Sequence, residues 1–166
     1  MAYATRKDLL DRSNARRLAQ LAVPADVAMV PLEAVRAALT GGDLSGFDAD
    51  TQDAVALALR AIDNALADAD ALIESYGIPA TPTSGVLTRM ACTVALYYLQ
   101  GAERLEKTDS LAYDGVIRLL TQHKRGEIDL TPGAAAGGTT VSDGDTVAVE
   151  SAPGRYGGTY TGEVGW

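Results

Sequence analysis

Apolar positions recur at helical spacing along the first 130 residues and stop doing so near Thr131. The clearest run lies between Asp50 and Tyr76. There Val55, Leu59, Ile62, Leu66, Ala69, Ile73 and Tyr76 follow one another at steps of 4, 3, 4, 3, 4 and 3. This is a heptad seam on a single helix face. At ~1.5 Å of rise per residue the helix would be roughly 40 Å long, and Gly77 and Pro79 end it. A seam of this length is short for a free-standing coiled coil, so it reads as the core stripe of a bundle.

Shorter helices lie on either side. Thr5-Arg6-Lys7-Asp8 resembles a capping box that opens a first helix, with Leu9 and Leu10 as its first apolar contacts. Ser13-Asn14 interrupts that helix, and a second runs from Ala15 to Leu21 before Pro24. A third starts after Pro31 and stops at Gly41-Gly42, leaving a loop to Asp48. Past Pro79 and Pro82, Thr83 or Ser84 caps a helix running to about Leu99. Its residues Leu87, Met90, Val94 and Tyr97 face one way, while Cys92, Leu96 and Leu99 face another. A helix apolar on most sides is a central one. A last helix, Asp109 to Arg125, turns Tyr113, Val116, Ile117 and Leu120 inward and stops at Gly126. Ile128 and Leu130 are expected to form a short extended piece.

The expected fold is therefore all-α. It is a small helical bundle over residues 1–130 with one long central helix (about 50–76), followed by an extended Gly-rich C-terminal arm over 131–166. The arm holds nine of the 17 glycines, one strand candidate at Thr146–Glu150, and the isolated aromatics Tyr156, Tyr160 and Trp166. It has too little apolar surface to fold alone. A disordered tail and an arm that orders on a partner both fit this composition.

Composition narrows the functional classes. Hydrophobic residues reach 47%, much of it alanine, with only 5% aromatics, which favours closely packed helices. A net charge of −8 disfavours phosphate-driven binding to nucleic acid. The lone Cys92 excludes an internal disulfide and fits a reducing compartment. No apolar run approaches the roughly 20 residues of a membrane span, and no signal-peptide core follows Arg6, Lys7 and Asp8. The expected site of synthesis is the cytoplasm.

Candidate chemistry is sparse. The sequence carries no phosphate-binding loop ending in Lys-Ser/Thr, no HExxH and no paired cysteines. His123, beside Lys124 and Arg125 at a helix C-terminus, reads as a solvated cap favoured by the helix dipole. Cys92 reads as small core filler. Asp48, Asp50 and Asp53 resemble a calcium loop only loosely, lacking its glycine and distant glutamate, and Asp143 with Asp145 is as weak. Asp63, Asp68, Asp70 and Glu74 read as the solvated face of the long helix. No catalytic residue, metal ligand or cofactor site is expected.

Charge is distributed unevenly. Residues 1–21 carry Arg6, Lys7, Arg12, Arg16 and Arg17 against Asp8 and Asp11, a net of +3. Residues 50–76 carry six acids and Arg60, a net of −5, and residues 77–130 balance. One basic and one acidic face invite head-to-tail contact between identical copies, which closes into a ring when the rotation allows. The same two faces could instead pair within one chain.

The order of these pieces resembles the Mu-like phage neck proteins, of the head–tail connector class. The likeness begins at Met-Ala-Tyr-Ala-Thr with Lys7-Asp8-Leu9-Leu10 and continues in Ala65-Leu66-Ala67-Asp68-Ala69 and Ile73-Glu74-Ser75-Tyr76. It returns in Leu87-Thr88-Arg89-Met90-Ala91-Cys92, and in Tyr113-Asp114-Gly115-Val116-Ile117-Arg118-Leu119-Leu120 leading to Lys124-Arg125-Gly126. It covers roughly residues 1–130. The stretch from Val23 to Phe47 departs from the pattern in being longer and richer in Pro and Gly, and the tail after Thr131 has no counterpart.

The resemblance implies a non-enzymatic structural subunit of the virion neck. Such subunits form a ring, usually of twelve copies, beneath the portal protein of a DNA-filled capsid. The ring extends the DNA channel and meets a tail or next neck protein. Genomic DNA would pass an acidic lumen without specific binding. The interface residues expected on these grounds are Arg6, Lys7, Arg12, Arg16 and Arg17, the acids Asp63, Asp68, Asp70 and Glu74, and Tyr156, Tyr160 and Trp166 of the arm. A different class of function is a helical adaptor that binds a partner helix along an exposed seam. A third is a small enzyme completed by its partner.

Overall fold

Four of the helices in the computed structural model start at a side chain that accepts from a first-turn backbone N–H. The structure describes residues 2–24, 26–80, 84–101 and 107–131, with side chains described from 110 onward in the last helix. Helix α1 (Arg6–Arg12) opens on a complete capping box: Thr5 accepts from the Asp8 backbone N–H while Asp8 accepts from that of Thr5. Ser13 ends α1, and Asn14 caps α2 (Ala15–Ala22) by accepting from the Arg17 N–H at 2.8 Å. Helix α3 (Leu32–Leu39) follows Pro31. Asp48 caps the 27-residue α4 (Ala49–Ser75), accepting from the Thr51 N–H at 2.8 Å. Asp48 is thus a helix cap, its two carboxylate oxygens accepting from the Thr51 N–H and hydroxyl. Ser84 caps α5 (Gly85–Gln100), and α6 spans Lys107–Lys124, two residues earlier than its expected start. The described residues contain six helices and no strand.

Helix α4, the longest, packs with α2, α3 and α5, and α5 in turn packs with α1, α2, α4 and α6, so the two together form the middle of the bundle. Its seam is buried where the heptad spacing places it: Val55, Ile62, Leu66, Ala69 and Ile73 are at most 6% exposed, with Leu59 and Tyr76 half-buried against the core. Ala54, Ala58 and Ala65 are buried beside them, and these small side chains let neighbouring helices approach closely. Helix α5 carries buried residues on several sides (Leu87, Met90, Ala91, Cys92, Val94 and Ala95), as its pattern required. Tyr97 is half-buried and stacks on Tyr113 of α6 at 3.9 Å between ring centroids. In α6, Val116 and Leu120 are buried, while Tyr113 and Ile117 are half-buried.

At the two ends of the described bundle the structure adds one feature and corrects one expectation. The sequence assigned no structure to the residues before Thr5, and Tyr3 and Ala4 are each 2% exposed. The Tyr3 hydroxyl donates to the Ile78 carbonyl at 2.6 Å, and its backbone N–H donates to Asp70 at 3.1 Å. The Thr88 hydroxyl donates to the Tyr3 carbonyl at 2.9 Å. The N-terminus is therefore fastened to the end of α4 and the start of α5. After α6, Ile128 and Leu130 do not form an extended piece. Gly126, at φ 75°, reverses the chain so that 128–130 returns to His123. The expected arm over 131–166 lies outside the described residues from 132 onward.

Candidate functional site

The charged segments contact each other within one chain. Arg6 makes a bidentate ion pair with Asp63 of α4, its Nε donating to Oδ1 at 2.6 Å and Nη2 to Oδ2. Both side chains keep about two-fifths of their surface in water, 38% and 45%, so the pair orients α1 more than it stabilises it. Lys7 pairs with Asp11 one turn along α1 at 2.6 Å. Asp70, expected on a solvated face, is half-buried and accepts the Tyr3 N–H; burial, foremost, raises its pKa. Arg12, Arg16, Asp68 and Glu74 remain exposed, and Arg17 is half-buried. Internal pairing accordingly uses Arg6, Asp63 and Asp70, and leaves Arg12 and Arg16 on one side and Asp68 and Glu74 on the other as outward charge. Tyr156, Tyr160 and Trp166 lie outside the described residues.

A second surface feature went unnoticed in the sequence. Between α2 and the segment leading to α3 lies a hollow of about 730 Å³, lined by Ala19, Val23, Val27, Met29 and Val30, with Arg16 as the one charged lining residue. Met29 stands 84% exposed at this hollow, and Leu32 is 36% exposed. The available signal was the run Val27-Ala28-Met29-Val30 between Pro24 and Pro31, apolar but without helical period. On α6, Leu111 is 63% exposed and lies opposite Leu120, while Leu119, at the margin of the face that carries Val116, is 39% exposed. These two leucines were legible in the sequence as residues off the apolar stripe.

The two groups best suited to chemistry are otherwise engaged. Cys92 is 2% exposed, and burial pushes its thiol up to about 11, so it is protonated at neutral pH and a poor nucleophile. His123 is not the solvated cap expected of it, its side chain being only 15% exposed. Its Nδ1 lies 3.3 Å from the Ile128 carbonyl and 3.3 Å from the Leu130 N–H, and 3.9 Å from an Asp129 oxygen. The residues after Gly126 fold back over the ring, which local sequence spacing does not reveal. Among the described residues no three His, Cys, Asp or Glu side chains gather as metal ligands, and no helix is long and apolar enough to cross a membrane.

Among the described residues these features define an all-α fold whose outward-facing assets are unlike charges and apolar patches on helix surfaces. Residues 3–151 match the family described as Bacteriophage Mu, Gp36, and the chain belongs to that family. It is thus a phage-type protein, and the match runs some 20 residues past the helical region to which the sequence resemblance was confined. No curated protein matches the chain.

Proposed function

We propose that the protein is a structural subunit of a tailed-phage neck, forming a ring beneath the portal that extends the DNA channel and joins head to tail. The observation that carries this reading is the family match over residues 3–151. The helical fold supports it, because close-packed helices give each copy a rigid body to repeat around a ring. The exposed Arg12 and Arg16 against the exposed Asp68 and Glu74 support it too, since unlike charges on separate helices favour head-to-tail contact. The role needs no catalysis, in keeping with a buried Cys92 and an internally bonded His123. The adaptor alternative needs an open seam on α4, whereas that seam is filled by the chain's own helices.

The test is the copy number in a native assembly, read by native mass spectrometry or electron microscopy of particles. A cyclic oligomer, dodecameric in the proposed neck, is expected. Reversing Arg12, Arg16 and Arg17 to Glu should weaken assembly more than it lowers the thermal midpoint. Particles holding one or two copies would refute the ring.

A further inference from the structure

We infer that Nδ1 of His123 is a proton-controlled latch on residues 128–131, holding a different backbone group in each protonation state. This stands apart from the neck reading and concerns the stretch to which residues 132–166 are joined. Two backbone groups of opposite kind converge on that one nitrogen, the Leu130 N–H at 3.3 Å and the Ile128 carbonyl at 3.3 Å. An imidazole nitrogen carries either a lone pair or a proton, so it serves one of them at a time. In the neutral imidazole protonated at Nε2, Nδ1 accepts from Leu130. Once Nδ1 is protonated it donates to the Ile128 carbonyl instead, and the Leu130 N–H loses its acceptor. Leu130 is half-buried against the core, so that loss loosens a packed residue.

The surroundings confine the swap to this stretch. The reversal itself is closed by backbone alone, the Gly126 N–H donating to the His123 carbonyl and the Glu127 N–H to that of Gln122, each at 2.9 Å. Neither bond involves the imidazole, so both persist in either protonation state. Among the described residues Asp129 is the one acid with an oxygen within 4 Å of the imidazole, at 3.9 Å. The same oxygen accepts from the Thr131 N–H at 2.8 Å, so an imidazolium competes with Thr131 for it. The other charges nearby are engaged or turned to water. Lys124 lies over the Tyr76 ring at the end of α4, 5.6 Å from its centroid, and Arg125 pairs with Glu127 at 3.8 Å. On α5, which packs against α6, the one charged side chain is Arg89, and it is exposed.

His123 is the single histidine, so nuclear magnetic resonance of the full-length protein follows its imidazole without ambiguity. Above the imidazole's own titration midpoint, the nitrogen spectrum should show the Nε2–H tautomer with Nδ1 bare. As pH falls through that midpoint, the hydrogen-exchange protection of the Leu130 amide, corrected for the intrinsic pH dependence of exchange, should drop roughly tenfold, the equivalent of one hydrogen bond. The Gly126 and Glu127 amides should keep theirs. His123→Asn places an acceptor that does not titrate near the position of Nδ1 and should show no step. A neutral imidazole protonated at Nδ1 would overturn the latch, since the Ile128 carbonyl would then be held in both states. Leu130 protection that stays level while the imidazole titrates would overturn it, as would an imidazole that never changes state while the protein is folded. An equal loss at Gly126 and Glu127 would show general fraying of the end of α6 instead. A step that survives in His123→Asn would move it to another group, Asp129 foremost, and the latch would fall.

Discussion

Tyr3 shows how one residue ties distant parts of this chain together. Its hydroxyl is buried against the Ile78 carbonyl, and its backbone N–H and carbonyl engage Asp70 and Thr88. Tyr3→Phe should cost about 1–3 kcal/mol, because it leaves the Ile78 carbonyl without that donor in a water-excluded place. Chemical denaturation would show this as a lower midpoint with an unchanged slope, and an unchanged midpoint would refute the fastening role. Two carboxylates respond to pH in opposite senses. The Thr5 hydroxyl and then the Thr5 N–H hold Asp8 below the usual carboxylate range. Its capping contribution is therefore complete above that range and is lost as pH falls through the lowered folded value. Asp70 is the reverse, raised chiefly by burial, so the fold is penalised as pH climbs past the usual carboxylate value to the raised one. Asp70→Asn, which keeps an acceptor for Tyr3, should remove that penalty. The gain should stay under about 1 kcal/mol at this half-open site, and should vanish in acid. A gain that persists below the carboxylate range would show that charge is not its cause.

At the scale of elements, α4 carries the fold. Its stripe from Val55 to Ile73 meets α2, α3 and α5, so one charged side chain there would be buried without a partner. Leu66→Asp or Ile73→Asp should cost several kcal/mol, comparable with a total stability of ~5–15 kcal/mol, and unfold the domain. Circular dichroism that keeps a wild-type melting profile would reject this account of the stripe. The helices themselves were legible because their ends are local chemistry: Thr5, Asn14, Asp48 and Ser84 each accept from a first-turn backbone N–H. What failed was local too. The fold-back after Gly126 depends on Nδ1 of His123 rather than on the strand propensity of Ile128.

For the whole molecule, the family match reaches residue 151 and so includes sequence beyond the described residues. Among the described residues Leu120 is the last buried large side chain, with Leu130 half-buried against the core. A chain truncated after Thr131 should therefore keep its helical circular dichroism spectrum and solubility. In the proposed neck it should nonetheless fail to join the portal, a neighbouring copy or the next neck protein. Complementation of particle assembly reads this out. Infectious particles at normal yield from the truncated chain would show that residues 132–166 serve no partner.

Helix identity, the length of α4 and the inward face of each helix follow from residue spacing and capping side chains, because both are interactions within a few turns of chain. Net charge and its segregation are likewise arithmetic on the sequence. Which charges remain outward was decided only by the folded arrangement, since Arg6 and Asp63 lie 57 residues apart and Tyr3 and Asp70 lie 67 apart. The hollow at Met29 belongs to the same category. A patch is the sum of surfaces that neighbouring helices leave uncovered, and no periodicity within a single segment encodes what its neighbours fail to bury.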